Sequence, residues 1–184
     1  NFENAPLADT YYPVALAEKI MEKEITGPSS FDMKASFNSS MPWYVGTDGK
    51  TPSTRYDLVS TVLHEIAHGL GFIGFFNVEE SGSMGYYDHY DDQFPAIFDR
   101  WVEDFNRKRL TDPLNYSNPS KELYNAITSN NLYSGSDVAF TIGNLSRPRL
   151  FAPATYMVSS SIYHLNDDTY PYGSINALMT HAAG

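Results

Sequence analysis

Leu58, Val59, Val62, Leu63, Ile66, Ala67 and Leu70 recur at three-to-four spacing, the period of a helix with one apolar face. The helix is predicted from near Arg55 to near Gly69. Thr54-Arg55-Tyr56-Asp57 reads as its capping box. Gly69 and Gly71 suit its end, where one residue enters the left-handed region without a Cβ penalty. A second helix is predicted from Pro13, on the apolar positions Leu16, Ala17, Ile20 and Met21, to a stop at Gly27-Pro28.

Phe31, Met33, Ala35 and Phe37 alternate with Asp32, Lys34, Ser36 and Asn38, the clearest pattern in the chain for a strand with one buried face. Residues 41–50 are rich in turn formers and could close a hairpin. Residues 72–76 are apolar without a clear period, and 79–93 turn polar and acidic, as expected of a surface loop. Ile97, Phe98, Trp101, Val102 and Phe105 favour a helix over 95–110, although their aromatic and β-branched content leaves a strand open. Ser120 can cap a short helix through Ile127, closed by Asn130-Asn131. Short extended pieces and Gly, Pro and Ser turns fill the rest to Ser161.

With 184 residues, 42% of them hydrophobic, and no internal repeat or linker, one domain with a real core is expected. It spans 1–184, an N-terminal part to 72 and a C-terminal part from 73. A net charge of −10 without a Lys/Arg stripe argues against nucleic acid as a partner. Neither a membrane span nor an uncleaved signal peptide is expected. Cysteine is absent, which removes disulfides and thiolate ligands and leaves histidine and carboxylate for any metal.

Those ligands are present on the helix predicted from Arg55 to Gly69. In Leu63-His64-Glu65-Ile66-Ala67-His68 the two imidazoles stand four positions apart, one turn, with Cβ atoms about 5–6 Å from each other. Both can reach one zinc ion. Glu65 projects beside them, where a carboxylate can take a proton from a water on the metal. A catalytic zinc needs a third protein ligand. The remaining histidines, His89, His164 and His181, are candidates, as are Glu79 and Glu80 just after the helix. Asp88, Asp91 and Asp92 around His89 also suit a second cation site, with Ca²⁺ the candidate.

HEIAHGLGF from His64 to Phe72, followed by His164 with 92 residues between it and Gly71, and then by Asn176-Ala177-Leu178-Met179-Thr180, resembles the leishmanolysin family of metzincin peptidases. The shorter metzincin pattern would put the third ligand at position 74, but Gly74 stands there. The resemblance implies His64, His68 and His164 as zinc ligands, Glu65 as base, Gly71 as the turn residue and Met179 as the floor beneath the metal. It further implies an α+β, zincin-like catalytic domain: a small sheet, the active-site helix, a long insertion and a Met-turn. A secreted zinc endopeptidase acting on protein or peptide substrates follows from it. His181, two residues after Met179, stands where the astacin and serralysin groups carry a tyrosine that stabilises the oxyanion. It also stands where the leishmanolysin family usually has proline. The short stretch before Thr54 and the end five residues after Met179 would favour a fragment of that fold. The net negative charge could steer basic substrate segments without defining a cleavage preference. A metal-stabilised binding module without turnover and a non-peptidase zinc hydrolase remain alternatives, because HExxH specifies an activated water and not an amide.

Overall fold

The computed structural model describes residues 2–88, 92–135 and 147–181. Its first helix, α1 (Val14–Met21), begins after Pro13, which is the N-cap and not the first helical residue. It ends well before Gly27-Pro28, for a local reason. Glu22 adopts the left-handed conformation at φ 52°, with its N–H bonded to the Glu18 carbonyl. Beyond it the Glu18 carboxylate accepts the Ile25 N–H, and the Glu24 carboxylate accepts those of Thr26 and Gly27. Side chains thus supply acceptors that a longer helix would have supplied from its backbone.

Residues 31–38 form no strand. Their side chains are exposed on both sides, Phe31 at 83%. Alternation specifies a strand only where a partner edge and an apolar surface receive it, and neither does here. Within 41–50 there is no hairpin either: β1 (Trp43–Tyr44) pairs in parallel with β2 (Tyr56–Asp57).

That ladder runs directly into α2 (Leu58–Gly69). Asp57, not Thr54, is its cap: one carboxylate oxygen accepts the Ser60 N–H at 2.7 Å and the other accepts the Thr51 hydroxyl. The expected capping box is therefore one turn out of register, its acid serving as the cap itself. At the far end the Gly71 N–H bonds the His68 carbonyl and the Phe72 N–H bonds the Ala67 carbonyl, both at 3.0 Å, with Gly71 at φ 126°. This is a Schellman closure, and it gives Gly71 its role. Between these caps α2 buries no residue; Val59, Leu63, Ile66 and Leu70 of the apolar face are exposed.

The core lies beyond α2, from Phe76 onward. β3 (Phe76–Val78) and β4 (Gly85–Tyr87) pair antiparallel, so the stretch expected as one acidic surface loop contains a strand with Tyr87 buried. The helix expected over 95–110 is replaced by a 3₁₀ turn, Asp99–Trp101, and β5 (Val102–Asp104), the strand that the sequence left open. α3 (Lys121–Ile127) forms as expected, with the Ser120 hydroxyl accepting the Leu123 N–H at 3.0 Å. β6 (Leu132–Ser134) pairs antiparallel with β5. Phe76, Val102, Leu123, Ile127, Leu132 and Leu150 close the core between these elements. The architecture is mixed α/β, and among the described residues three separate two-stranded ladders stand in place of the one small sheet expected. No helix among the described residues is long and apolar enough to cross a membrane.

From the core, single bridges carry the chain back to α2. Leu150 bridges Leu165, and Leu165 bridges Thr180. The Phe151 N–H bonds the His164 carbonyl at 2.8 Å and the Leu165 N–H bonds the Met179 carbonyl at 2.6 Å. The corrected cap gives a test. Asp57→Ala should lower stability by about 0.5–2 kcal/mol in urea denaturation, whereas Thr54→Ala should change it little; the reverse order would restore Thr54 as the cap.

Candidate metal centre

His64 and His68, one turn apart on α2, meet His164 from the bridged strip. His64 Nε2 lies 3.0 Å from His68 Nε2 and 3.2 Å from His164 Nε2. Every Nδ1 is engaged elsewhere: that of His64 with the Leu178 carbonyl at 2.7 Å, that of His68 with the Phe72 carbonyl at 2.8 Å, and that of His164 with the Ser160 carbonyl at 2.8 Å. A carbonyl can only accept, so each Nδ1 carries a proton, and a ring in its neutral form then offers an Nε2 lone pair to the centre. Lone pairs this close repel one another unless a cation lies between them. With Zn–N bonds of about 2.0–2.1 Å and tetrahedral angles, ligand nitrogens stand about 3.3–3.4 Å apart. The separations of His64 from His68 and from His164 come within a few tenths of an ångström of that spacing, all three ligand atoms lie within 4.8 Å of one another, and imidazole is a donor zinc favours.

Glu65 is exposed and, with His68, borders a cavity of about 1010 Å³ that also meets Met33, Trp43 and Ile66. Met179 is half-buried in the 3₁₀ turn Ala177–Met179, which packs against α2; the carbonyl before it, that of Leu178, holds His64. His181 stacks on Phe151 with ring centroids 4.5 Å apart, approaches Asp167 to 3.5 Å, and presents its ring edge-to-face to His164 at 6.0 Å. Glu79 and Glu80 are exposed at the β3–β4 turn, where Glu79 accepts the Ser81 and Ser83 hydroxyls. His89 and Asp91 lie outside the described residues. Asp92 accepts the Tyr11 hydroxyl and the Phe94 N–H. Among the described residues, the groups of three or more side chains able to share an ion are the three histidines and Glu18, Glu24 and Asp32. Asp88 and Asp92 belong to neither.

Residues 8–141, well over half of the chain, match the model of a family described as SPBPB7E8-like. The chain belongs to the SPBPB7E8-like family. No curated protein and no solved structure matches it. The part shared with the SPBPB7E8-like family contains α2 with His64, Glu65 and His68, while His164 and Met179 lie beyond it.

Burial sets the state of the third histidine in this SPBPB7E8-like chain. His164 is 8% exposed. Burial pushes its pKa down to about 4; the bond to the Ser160 carbonyl opposes the shift, and His68, His64 and His181 add to it. The ring is neutral near pH 7, as a metal ligand must be. Two buried residues that sequence reading passed over are paired beside it in the chain: Tyr163, which precedes His164, and its partner Asp99. Asp99, wholly buried, accepts the Phe75 and Ala96 N–H groups at 2.9 Å and the Tyr163 hydroxyl at 2.8 Å. Burial pushes its carboxyl up to about 7, against the pull of these donors and of Arg100. The available signal was a lone carboxylate inside the apolar run Ile97-Phe98-Asp99-Arg100-Trp101.

A depressed histidine pKa fixes the direction of a pH effect. Between pH 6.5 and about 4 the unfolded chain binds a proton at His164 that the folded chain does not. The stability linked to this group is therefore complete above pH 6.5 and is lost as pH falls toward 4. In metal-free protein, thermal denaturation at stepped pH should show this decline, and His164→Gln should flatten it. An identical slope in the two proteins would place His164 in a solvated setting.

Proposed function

We propose that this chain is a zinc-dependent endopeptidase acting outside the cell, with His64, His68 and His164 as ligands and Glu65 as general base. The observation that carries the reading is the convergence of three Nε2 lone pairs, each ring fixed by a backbone carbonyl, beside a helix that also carries Glu65. The run HEIAHGLGF, with the late His164 and Met179, resembles leishmanolysin and supports peptide as the substrate and the extracellular location.

Zinc, when bound, polarises the scissile carbonyl and makes water acidic enough to lose a proton near neutral pH. The chain's own groups do the rest. Carbonyls of Leu178, Phe72 and Ser160 hold the three rings in one tautomer and raise the basicity of the opposite nitrogens. Glu65, at the border of the cavity that admits the peptide, takes the water's proton and returns it to the leaving amine. His181, steadied by Phe151 and Asp167 next to His164, donates an N–H to the oxyanion as the carbonyl becomes tetrahedral.

Two measurements test these roles. Glu65→Ala should keep one zinc per chain while hydrolysis of an unfolded protein substrate drops by at least about 10²–10⁴-fold, and a chelator should abolish wild-type activity; full activity in the zinc-loaded variant would remove Glu65 as base. His181→Ala should lower kcat by about 10²–10³-fold, leaving zinc content and KM nearly unchanged, with part of the activity kept in His181→Tyr. Wild-type kcat in the alanine variant would leave His181 without a catalytic part.

A further inference from the structure

His64 and His68 share one helix, so their separation is fixed by helical geometry. His164 has no such guarantee. Its Nδ1 bond to the Ser160 carbonyl is made within its own loop, four positions away. That bond orients the ring but does not locate the loop against α2. The bonds from Phe151 and to Met179 tie the strip to itself and to the late turn. The late turn reaches α2 itself through the bond between His64 and the Leu178 carbonyl, and a second junction joins the strip to the segment that leaves the helix.

The junction is at Tyr163, the residue before His164. Its hydroxyl donates to Asp99 Oδ1 at 2.8 Å and accepts the Phe76 N–H at 2.6 Å. Asp99 Oδ2 meanwhile accepts the Phe75 N–H. Both residues are buried, Asp99 at 0% and Tyr163 at 6% exposure. The exit segment from α2 is thus bonded twice to one buried pair, and that pair adjoins the third histidine. An aromatic path runs in parallel: His68 stacks near Phe72, Phe72 meets Phe98 at 4.5 Å, and Phe98 meets Tyr163 at 6.2 Å between centroids.

The pair fits only because position 74 is glycine. A Cβ on Gly74 would lie 1.9 Å from Asp99 Oδ1 and 2.7 Å from Tyr163 Cε1. We propose that Asp99, acting through Tyr163, is the positioning residue for the third ligand, its carboxylate filling the space left by the missing side chain of Gly74. The inference rests on the metal reading. Where the short motif would supply a ligand from position 74, this chain has room for a clamp that brings the ligand in from position 164. Asp99 touches no reacting atom; it acts by holding the His164 loop at the distance the other two rings require.

The test compares wild type with Tyr163→Phe, Asp99→Asn and Gly74→Ala, using Zn²⁺ affinity from chelator competition and the visible spectrum of the Co²⁺-loaded protein. Ile127→Val, in α3 within the core, serves as the control for a general loss of stability. Each clamp variant should bind zinc about 10–100-fold more weakly and show a weakened or displaced cobalt band. The double variant Asp99→Asn/Tyr163→Phe should be little worse than either single one, because the two residues act as one unit. Ile127→Val should keep wild-type affinity and spectrum at a lowered Tm. Clamp variants that lose thermal stability while keeping wild-type zinc affinity and cobalt spectrum would reduce Asp99 and Tyr163 to a fold element. Failure of wild type to bind one zinc or cobalt per chain would overturn the metal reading and this inference with it.

Discussion

The bond from His64 Nδ1 to the Leu178 carbonyl joins positions 114 residues apart, and the candidate centre depends on it. It fixes the tautomer of the first ring, seats the late turn against α2, and brings the strip that carries His164 within reach. Closing so long a loop costs less than its length suggests, because the entropic penalty grows only as the logarithm of the number of residues. The intervening chain must nevertheless fold into something definite. Here it builds the main core, from Phe76 through Leu123 and Ile127 to Leu150 and Ile162. The long insertion is therefore the scaffold that delivers the third histidine, and the helix is docked onto it.

What could be read from the sequence was short-range. The pairing of His64 with His68, the Ser120 cap and the Gly71 turn each rest on residues within about one helical turn, so local pattern specifies them. Where the outcome depended on distant partners, local pattern misled. Residues 31–38 alternate well but meet no other strand edge, and 95–110 yields to β5 because β6, some 30 residues later, supplies a ladder. The apolar periodicity of α2 did announce a helix, yet it said nothing of where the core would form. His164 stood out through its order behind the helix motif and its likeness to a known family, since spacing alone left four other side chains in contention. Asp99 and Tyr163 could not be paired from sequence, being 64 positions apart.

The same geometry bears on how α2 stays folded. An isolated helix of its length is marginal in water, and this one buries no side chain to compensate. Its restraints are the Asp57 cap, the Gly71 closure and the ring-to-carbonyl tethers of His64 and His68. Two of these restraints belong to the candidate metal centre. A metal bound only by the folded chain would add RT ln(1 + [M]/Kd), about 4 kcal/mol at a thousandfold excess over Kd, and the added stability would act on the helix whose exposed apolar face contributes least. The ligand rings and the helix thus constrain one another: the helix sets the spacing of His64 and His68, and the closure of the centre through Leu178 and His164 holds the helix against the rest of the molecule.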